Sequence, residues 1–265
     1  MICAHVRVFC PVKTREKKKK VHLCPEKSIY PMSNSWFRFK QFNIEQERCS
    51  MKVGTDGVLL GAWFPVHAGC GVLDIGTGTG LIALMAAQRG AGRVTAVEID
   101  PDAAEQARQN VTGSPWADSV KVECADIASF VTESRFDRIV CNPPYFRDSL
   151  RSPDSGRNTA RHNDALSYET LASCAAKLLA DDGMLCLVLP YDSVSEFVKC
   201  AAVQGLDLCM RTDVVTAPGK EPKRSLVAFK RNSPTLKTSI LEICGTDGKE
   251  TAGYINLVRD FYLKY

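Results

Sequence analysis

No apolar run in the chain approaches the roughly 20 residues that a bilayer-crossing helix needs. The opening "MICAHVRVFC" is short, broken by charge and followed by more charge, where a secretory leader would carry an apolar core and a small-residue cleavage site. A cytoplasmic protein with no membrane association is expected. Histidine is scarce: His5, His22, His67 and His162 lie far apart and none stands at metal-ligand spacing, so no metal is expected. Cysteine is plentiful, at 12 residues, but no Cys-x-x-Cys pair occurs. Scattered through candidate strands and helices, as at Cys124, Cys141, Cys186 and Cys209, the cysteines read as buried free thiols.

What is present describes an ordinary globular protein. With 265 residues, 45% of them hydrophobic and 24% charged, the chain can bury one large core or two small ones. Its net charge of +4 is unevenly spread. Residues 1–31 hold eight Lys or Arg against Glu16 and Glu26, a balance of +6 that leaves −2 for everything after them. The overall charge is therefore weak support for nucleic-acid binding, and only local clusters count. Three stand out: Arg38, Lys40, Arg48 and Lys52; Arg147, Arg151, Arg157 and Arg161; and Lys220, Lys223, Arg224, Lys230 and Arg231.

Residues 1–31, centred on "TREKKKK", have neither helical nor strand periodicity and read as a disordered basic tail or the product of a mis-set start. Met32 then opens an aromatic-rich segment, "MSNSWFRFKQFNIEQ", and residues 32–265 read as a single domain. If the natural start is Met32, the intact mass of the native protein will lack the tail.

From residue 71 short apolar runs alternate with amphipathic stretches. "GVLDIG", "RVTAVEID", "SVKVECAD", "FDRIVCN" and "GMLCLVLP" read as strands; "GLIALMAAQ", "DAAEQARQNV", "YETLASCAAKLLA" and "SVSEFVKCAAVQ" read as helices. This order predicts an α/β fold with a mostly parallel sheet and helices on both faces. "LDLCMRTDVVTA" and "KRSLVAFKR", joined by a short loop, predict an antiparallel closing pair. The C-terminal "YINLVRDFYLKY" fits either a short helix or a strand.

"VLDIGTGTG" sets Gly76, Gly78 and Gly80 between a strand and a helix, where backbone without Cβ atoms can approach a ligand. The dinucleotide pattern Gly-x-Gly-x-x-Gly is absent, since Leu81 stands at its third glycine, and this counts against NAD. Asp74 precedes the glycines and suits a ligand with a cationic amine; Glu98, 18 residues past Gly80, suits ribose hydroxyls; Asp126 suits an adenine amine. Each acid could equally cap a helix or turn. Together, three acids at successive strand ends beside the glycine loop resemble the class I S-adenosylmethionine-dependent methyltransferases over residues 50–231. That resemblance implies a Rossmann-like, seven-stranded sheet with the last strand antiparallel, and S-adenosylmethionine as cofactor.

At the end of the next strand stands "NPPY", Asn142 to Tyr145. An adenine amine is a poor nucleophile because its lone pair is delocalised. The Asn142 oxygen and the Pro143 carbonyl can each accept one N–H and favour a pyramidal nitrogen. Prolines fix φ and add no competing donor, and Tyr145 can stack on an extruded base. Asn142 also borders the cofactor. A plain proline turn is the bland alternative.

"NPPY" alone does not choose among amine and amide substrates. Release-factor glutamine N5-methyltransferases share it, and rRNA guanine-N2 methyltransferases carry close variants. "FRFKQFNIEQERCSMKVGTDGVLLGAW", "NPPYFRDSLRSPDSGRNTARHNDALSYETL" and the final "FYLKY" resemble the bacterial tRNA1(Val) (adenine(37)-N6)-methyltransferase family over residues 32–265. The resemblance implies that Lys52, Thr55 and Asp56 frame the cofactor pocket, and that Phe146 and the loop bearing Arg147, Arg151, Arg157 and Arg161 approach the anticodon loop of tRNA. Release-factor enzymes usually carry a helical domain ahead of the cofactor domain, for which the roughly 40 residues after Met32 leave too little chain. A monomer is expected.

Overall fold

The first described residues form a hairpin, β1 (Trp36–Arg38) and β2 (Asn43–Glu45), followed by helix α1 (Thr55–Trp63). The computed structural model describes residues 35–143 and 166–265. The alternation then runs β3 (Gly71–Ile75), α2 (Leu81–Gln88), β4 (Arg93–Glu98), α3 (Pro101–Thr112), β5 (Val120–Cys124) and β6 (Phe136–Cys141). After residue 166 come α4 (Tyr168–Leu178), β7 (Leu179–Pro190), α5 (Val194–Val203), β8 (Asp207–Val215), β9 (Arg224–Lys230), β10 (Lys237–Glu242) and α6 (Ala252–Val258).

Local chemistry sets several boundaries. Asp100 caps α3, its carboxylate accepting from the amides of Asp102 at 2.9 Å and Ala103 at 3.4 Å, and Pro101 follows at the first helical position. Ser167 caps α4 by accepting from the Thr170 amide at 3.2 Å.

The main sheet has the order β10-β8-β9-β7-β6-β3-β4-β5. Every neighbouring pair is parallel except those of β9, which runs antiparallel to both β7 and β8. The chain builds outward from β3 to β5, then returns to the other side of β3 as β6. The crevice at this reversal, beyond the C-terminal ends of β3 and β6, is where open α/β sheets bind ligands.

Both faces of the sheet are covered. Val72, Val140, Cys186 and Val188 belong to one core, with α1, α2 and α6, while Leu73, Ile139, Leu185 and Leu187 belong to the other, with α4 and α5. Adjacent residues pointing to opposite apolar layers explain why these strands read as continuous hydrophobic runs.

Two expectations, the strand count and the burial of Cys124, need adjustment, and of the two alternatives for the C-terminal segment one is found. The sheet has eight strands, because β10 pairs in parallel with β8 outside the antiparallel β9. Its "KTSILE" is almost wholly exposed and lacks the apolar run that marks the buried strands. The C-terminal segment forms a helix, α6, capped by Thr251. Cys124 is exposed, whereas Cys141, Cys186 and Cys209 are buried free thiols.

Helix α1 was not legible from pattern, since Gly57 and Gly61 fall inside its nine residues. Packing explains them. A Cβ on Gly61 would lie 2.6 Å from the Met85 sulfur, and one on Gly57 would lie 3.3 Å from Leu81. The propensity cost of glycine, about 1 kcal/mol each, allows α1 to press closely on α2.

Candidate functional site

A cavity of about 880 Å³ opens at the C-terminal ends of β3, β4 and β6. Five stretches wall it: residues 49–57, the glycine loop with the start of α2, residues 97–100, residues 125–128, and Asn142 with the start of α4. Among the sequence-selected residues, Lys52, Thr55, Asp56, Gly76, Gly78, Glu98, Asp126 and Asn142 all border it. They come from five separate parts of the chain, and the fold alone brings them together.

Asp74 and Gly80 do not line the cavity. Asp74 is buried, and its Oδ2 accepts from the Thr77 hydroxyl at 2.6 Å and the Ala83 amide at 3.2 Å, so it braces the glycine loop against α2. Burial raises its carboxyl to about 7, against the hydrogen bonds from Thr77 and Ala83, with the nearby Glu98 charge adding to the rise. Its Oδ1 is buried without a hydrogen-bond partner among the described residues. Gly80, at φ +81°, faces Ala107 of α3, 3.6 Å from where its Cβ would be. Gly76 and Gly78 also have positive φ, but nothing stands within 4 Å of a Cβ at either. The loop thus splits into two residues open to a ligand and one that packs two helices together.

The loop is held from behind by β4. The Gly76 and Thr77 amides donate to the Val97 carbonyl at 2.8 and 3.1 Å. Glu98 receives the Gly78 amide on Oε2 at 2.8 Å and the Asp100 amide on Oε1 at 3.0 Å. Its carboxylate therefore shapes the loop and borders the cavity at once, each oxygen keeping a second lone pair. Asp126 is exposed, and its Oδ1 accepts from the Ala128 amide at 2.9 Å, a turn cap that leaves the other oxygen toward solvent.

Asn110 ties the opposite wall to this frame. Buried in α3, it accepts from the Glu45 amide at 2.8 Å and donates to the carbonyls of Glu45 and Thr79, each at 2.8 Å. One side chain thereby joins the N-terminal hairpin to the glycine loop. Gln46 extends the joint by accepting the Val53 amide at 2.8 Å, and Asp56 pairs with Arg224 of β9 at 2.9 Å.

Asn142 follows β6 directly. Its Nδ2 lies 3.6 Å from the Met51 sulfur, and its Oδ1 is buried without a hydrogen-bond partner among the described residues. Pro143 is buried beside it. Tyr145, Phe146, Arg147, Arg151, Arg157 and Arg161 lie outside the described residues.

Several wall residues escaped the sequence reading. Ile99 is 57% exposed beside Glu98 and offers an apolar face to a flat ring. Met51, Ser167 and Thr170 border the cavity near Asn142. Ser167 had a signal, a capping residue directly before an amphipathic run; Met51 and Ile99 had none, since an exposed apolar side chain is common. Among the described residues no group of three or more His, Cys, Asp or Glu is placed to hold a metal, and no helix is long and apolar enough to cross a membrane.

Residues 50–198 match the model of the methyltransferase small domain family. A tRNA1(Val) (adenine(37)-N6)-methyltransferase from Phocaeicola vulgatus is 50% identical over 232 residues, which cover 88% of this chain and 99% of the relative. Another of the same name from Bacteroides fragilis is 48% identical, over 88% of this chain and all of the relative. Among solved structures, a predicted O-methyltransferase from Agrobacterium tumefaciens superposes with a TM-score of 0.62 at 22% identity, covering 78% of this chain and 96% of that one, which bears on the fold alone. Identity at this level over nearly nine-tenths of the sequence means that the chain belongs to the tRNA1(Val) (adenine(37)-N6)-methyltransferase family.

Proposed function

We propose that this protein uses S-adenosylmethionine to methylate the exocyclic N6 amine of an adenine in a tRNA anticodon loop, position 37 of tRNA1(Val) by analogy with its relatives, in the cytoplasm. The single observation that carries the reading is the Asn142 acceptor, buried and without a partner among the described residues, at a glycine-lined cavity in a chain half identical to enzymes named for that reaction.

The cavity residues fit the cofactor. The open backbone at Gly76 and Gly78 can receive a ligand where a Cβ would stand. Glu98 has lone pairs for ribose hydroxyls, Ile99 an apolar face for adenine, and Asp126 an acceptor for the adenine amine. Lys52, Thr55 and Asp56 would close the pocket from the N-terminal side. Asp74 would act indirectly, by holding the loop through Thr77 and Ala83. When bound, S-adenosylmethionine supplies an electrophilic methyl group on a sulfonium.

Catalysis then rests on positioning. The Asn142 Oδ1 and the Pro143 carbonyl accept the two N–H groups of the target amine and orient its lone pair toward the methyl group. Tyr145 supports the base, and the loop bearing Phe146, Arg147, Arg151, Arg157 and Arg161 contacts the anticodon RNA. The amine sheds its proton readily once alkylated, so no general base is assigned. An anticodon-loop base is nearly single-stranded, which keeps the cost of extruding it low.

The test is transfer of labelled methyl groups to total tRNA lacking the modification, with nuclease mapping of the labelled nucleotide. Label at an adenine N6 in the anticodon loop is the expected result. Label entering release factor or ribosomal RNA instead of tRNA would overturn the reading.

A further inference from the structure

The third basic cluster of the sequence is divided by the fold. Lys220, Lys223 and Arg224 stand at the start of β9, on the sheet edge where β6 delivers Asn142; Lys230 and Arg231 stand at its far end, about 20 Å away for the six steps from Arg224 to Lys230 at some 3.4 Å each. The two halves have different surroundings. Arg231 is turned inward, donating to the carbonyls of Ala176 and Ala180. Lys220 and Lys223 are exposed.

The exposed half is built into the site's frame. The Lys223 carbonyl accepts from the Tyr191 amide at 3.2 Å and from Arg224 Nη1 at 2.8 Å, while Arg224 Nε holds Asp56 on the cavity wall. The Lys220 amide closes the turn onto the Ala217 carbonyl at 3.2 Å. Tyr191, which follows β7 directly, is 36% exposed, and the Arg211 guanidinium sits 4.8 Å from its ring centroid while pairing with Asp213 at 2.7 Å. A partly exposed aromatic ring backed by a cation, beside a turn that carries two exposed lysines and is hydrogen-bonded to it through the Lys223 carbonyl, is the chemistry that grips single-stranded nucleic acid. Glu221 and Asp192 share this edge, so the field is local and suits direct contact more than long-range steering.

Resting on the reading above, we propose that the turn between β8 and β9, through Lys220 and Lys223, together with Tyr191, forms a second RNA contact that binds two backbone phosphates and stacks one base of the anticodon arm beside the target nucleotide. β9 lies two strands from β6, about 10 Å at the usual strand spacing. A short stretch of RNA spans that distance, so the target base and its neighbours can engage both places at once.

The experiment is fluorescence anisotropy of a labelled, unmodified anticodon stem-loop with the full-length protein, titrated at several salt concentrations. The Lys220→Ala/Lys223→Ala variant is expected to bind about tenfold more weakly at low salt. Its plot of log affinity against log salt should be shallower by about 1.4, for two phosphates at roughly 0.7 each. Tyr191→Ala should weaken binding about fivefold or more while Tyr191→Phe stays near wild type. Lys230→Ala, at the far end of β9, should leave affinity and slope unchanged. Calorimetry with S-adenosylhomocysteine should give the same affinity for all four variants, which shows that the fold and the cofactor pocket are intact. A wild-type slope in the double variant, or an equal loss in Lys230→Ala, overturns the contact while leaving the functional reading standing. Failure of the wild-type protein to bind or methylate any tRNA would overturn both.

Discussion

The two walls of the cavity are built in opposite ways. The wall from Asp74 to Asp100 is local in sequence: Asp74 reaches Thr77 and Ala83, Gly78 reaches Glu98, and Gly76 reaches Val97, all within 27 residues. The wall from Cys49 to Asp56, with the hairpin before it, is held by distant partners apart from the short-range Gln46–Val53 bond. Asn110 holds Glu45 across 65 residues, Asn142 meets Met51 across 91, and Arg224 holds Asp56 across 168. A locally closed wall suits a ligand common to many enzymes, while a wall assembled from remote parts can change with the substrate. The first should govern cofactor affinity and the second what the cofactor acts upon.

The largest effect that would test this division belongs to Asn142. Asn142→Ala removes the acceptor proposed for the target amine and is expected to lower turnover by about 10²–10³, with affinity for S-adenosylhomocysteine close to wild type by calorimetry. A parallel loss of cofactor affinity would place Asn142 on the other side of the comparison.

Asn110 should show how far the walls depend on each other. Asn110→Ala deletes three hydrogen bonds, one buried and two part-buried, and is expected to destabilise the protein by about 3 kcal/mol, near 1 kcal/mol for each bond, measured by urea unfolding. In the fraction still folded, cofactor affinity should fall as well, since the Thr79 carbonyl loses its anchor. Unchanged affinity would mean that the glycine loop stands without the hairpin.

Asp74 gives a pH signature confined to the local wall. Its folded carboxyl titrates at about 7 against an ordinary value of 3.8, so between those values the folded state keeps a proton that the unfolded chain has released. The stability linked to that proton is complete below the ordinary value and is lost as pH rises through about 7. Asp74→Asn should flatten this part of the profile of melting temperature against pH; an unaltered difference profile would show that Asp74 is already ionised there.

Arg224→Gln is the mildest test. The Asp56 pair is half-buried, and its loss should cost no more than about 1 kcal/mol. The expected result is a severalfold rise in KM for tRNA with little change in Tm.

Legibility from sequence follows the same divide. That Gly76, Gly78, Glu98, Asp126 and Asn142 border one cavity could be read because strand periodicity and strand-end spacing place them without knowledge of distant contacts. The same spacing points Asp74 and Gly80 toward a ligand, yet both are occupied in packing the loop against α2 and α3. Which way a side chain points at the end of a strand depends on neighbours that periodicity does not name. Asn110 carried no signal, because an amide inside an amphipathic helix looks like an ordinary surface residue until the hairpin covers it. The same holds for β10, an exposed edge strand with little apolar content, and for the pairing of Asp56 with Arg224.

The close approach of α1 to α2 through Gly61 and Met85 has a consequence for protein engineering. The segment that frames the pocket from the N-terminal side is not an independent cassette: a chimera that imports residues 36–63 from a relative with another substrate also inherits the contact between position 61 and Met85. An alanine or larger residue at position 61 would meet the Met85 sulfur, and the Met85 side chain would have to repack between α1 and α2.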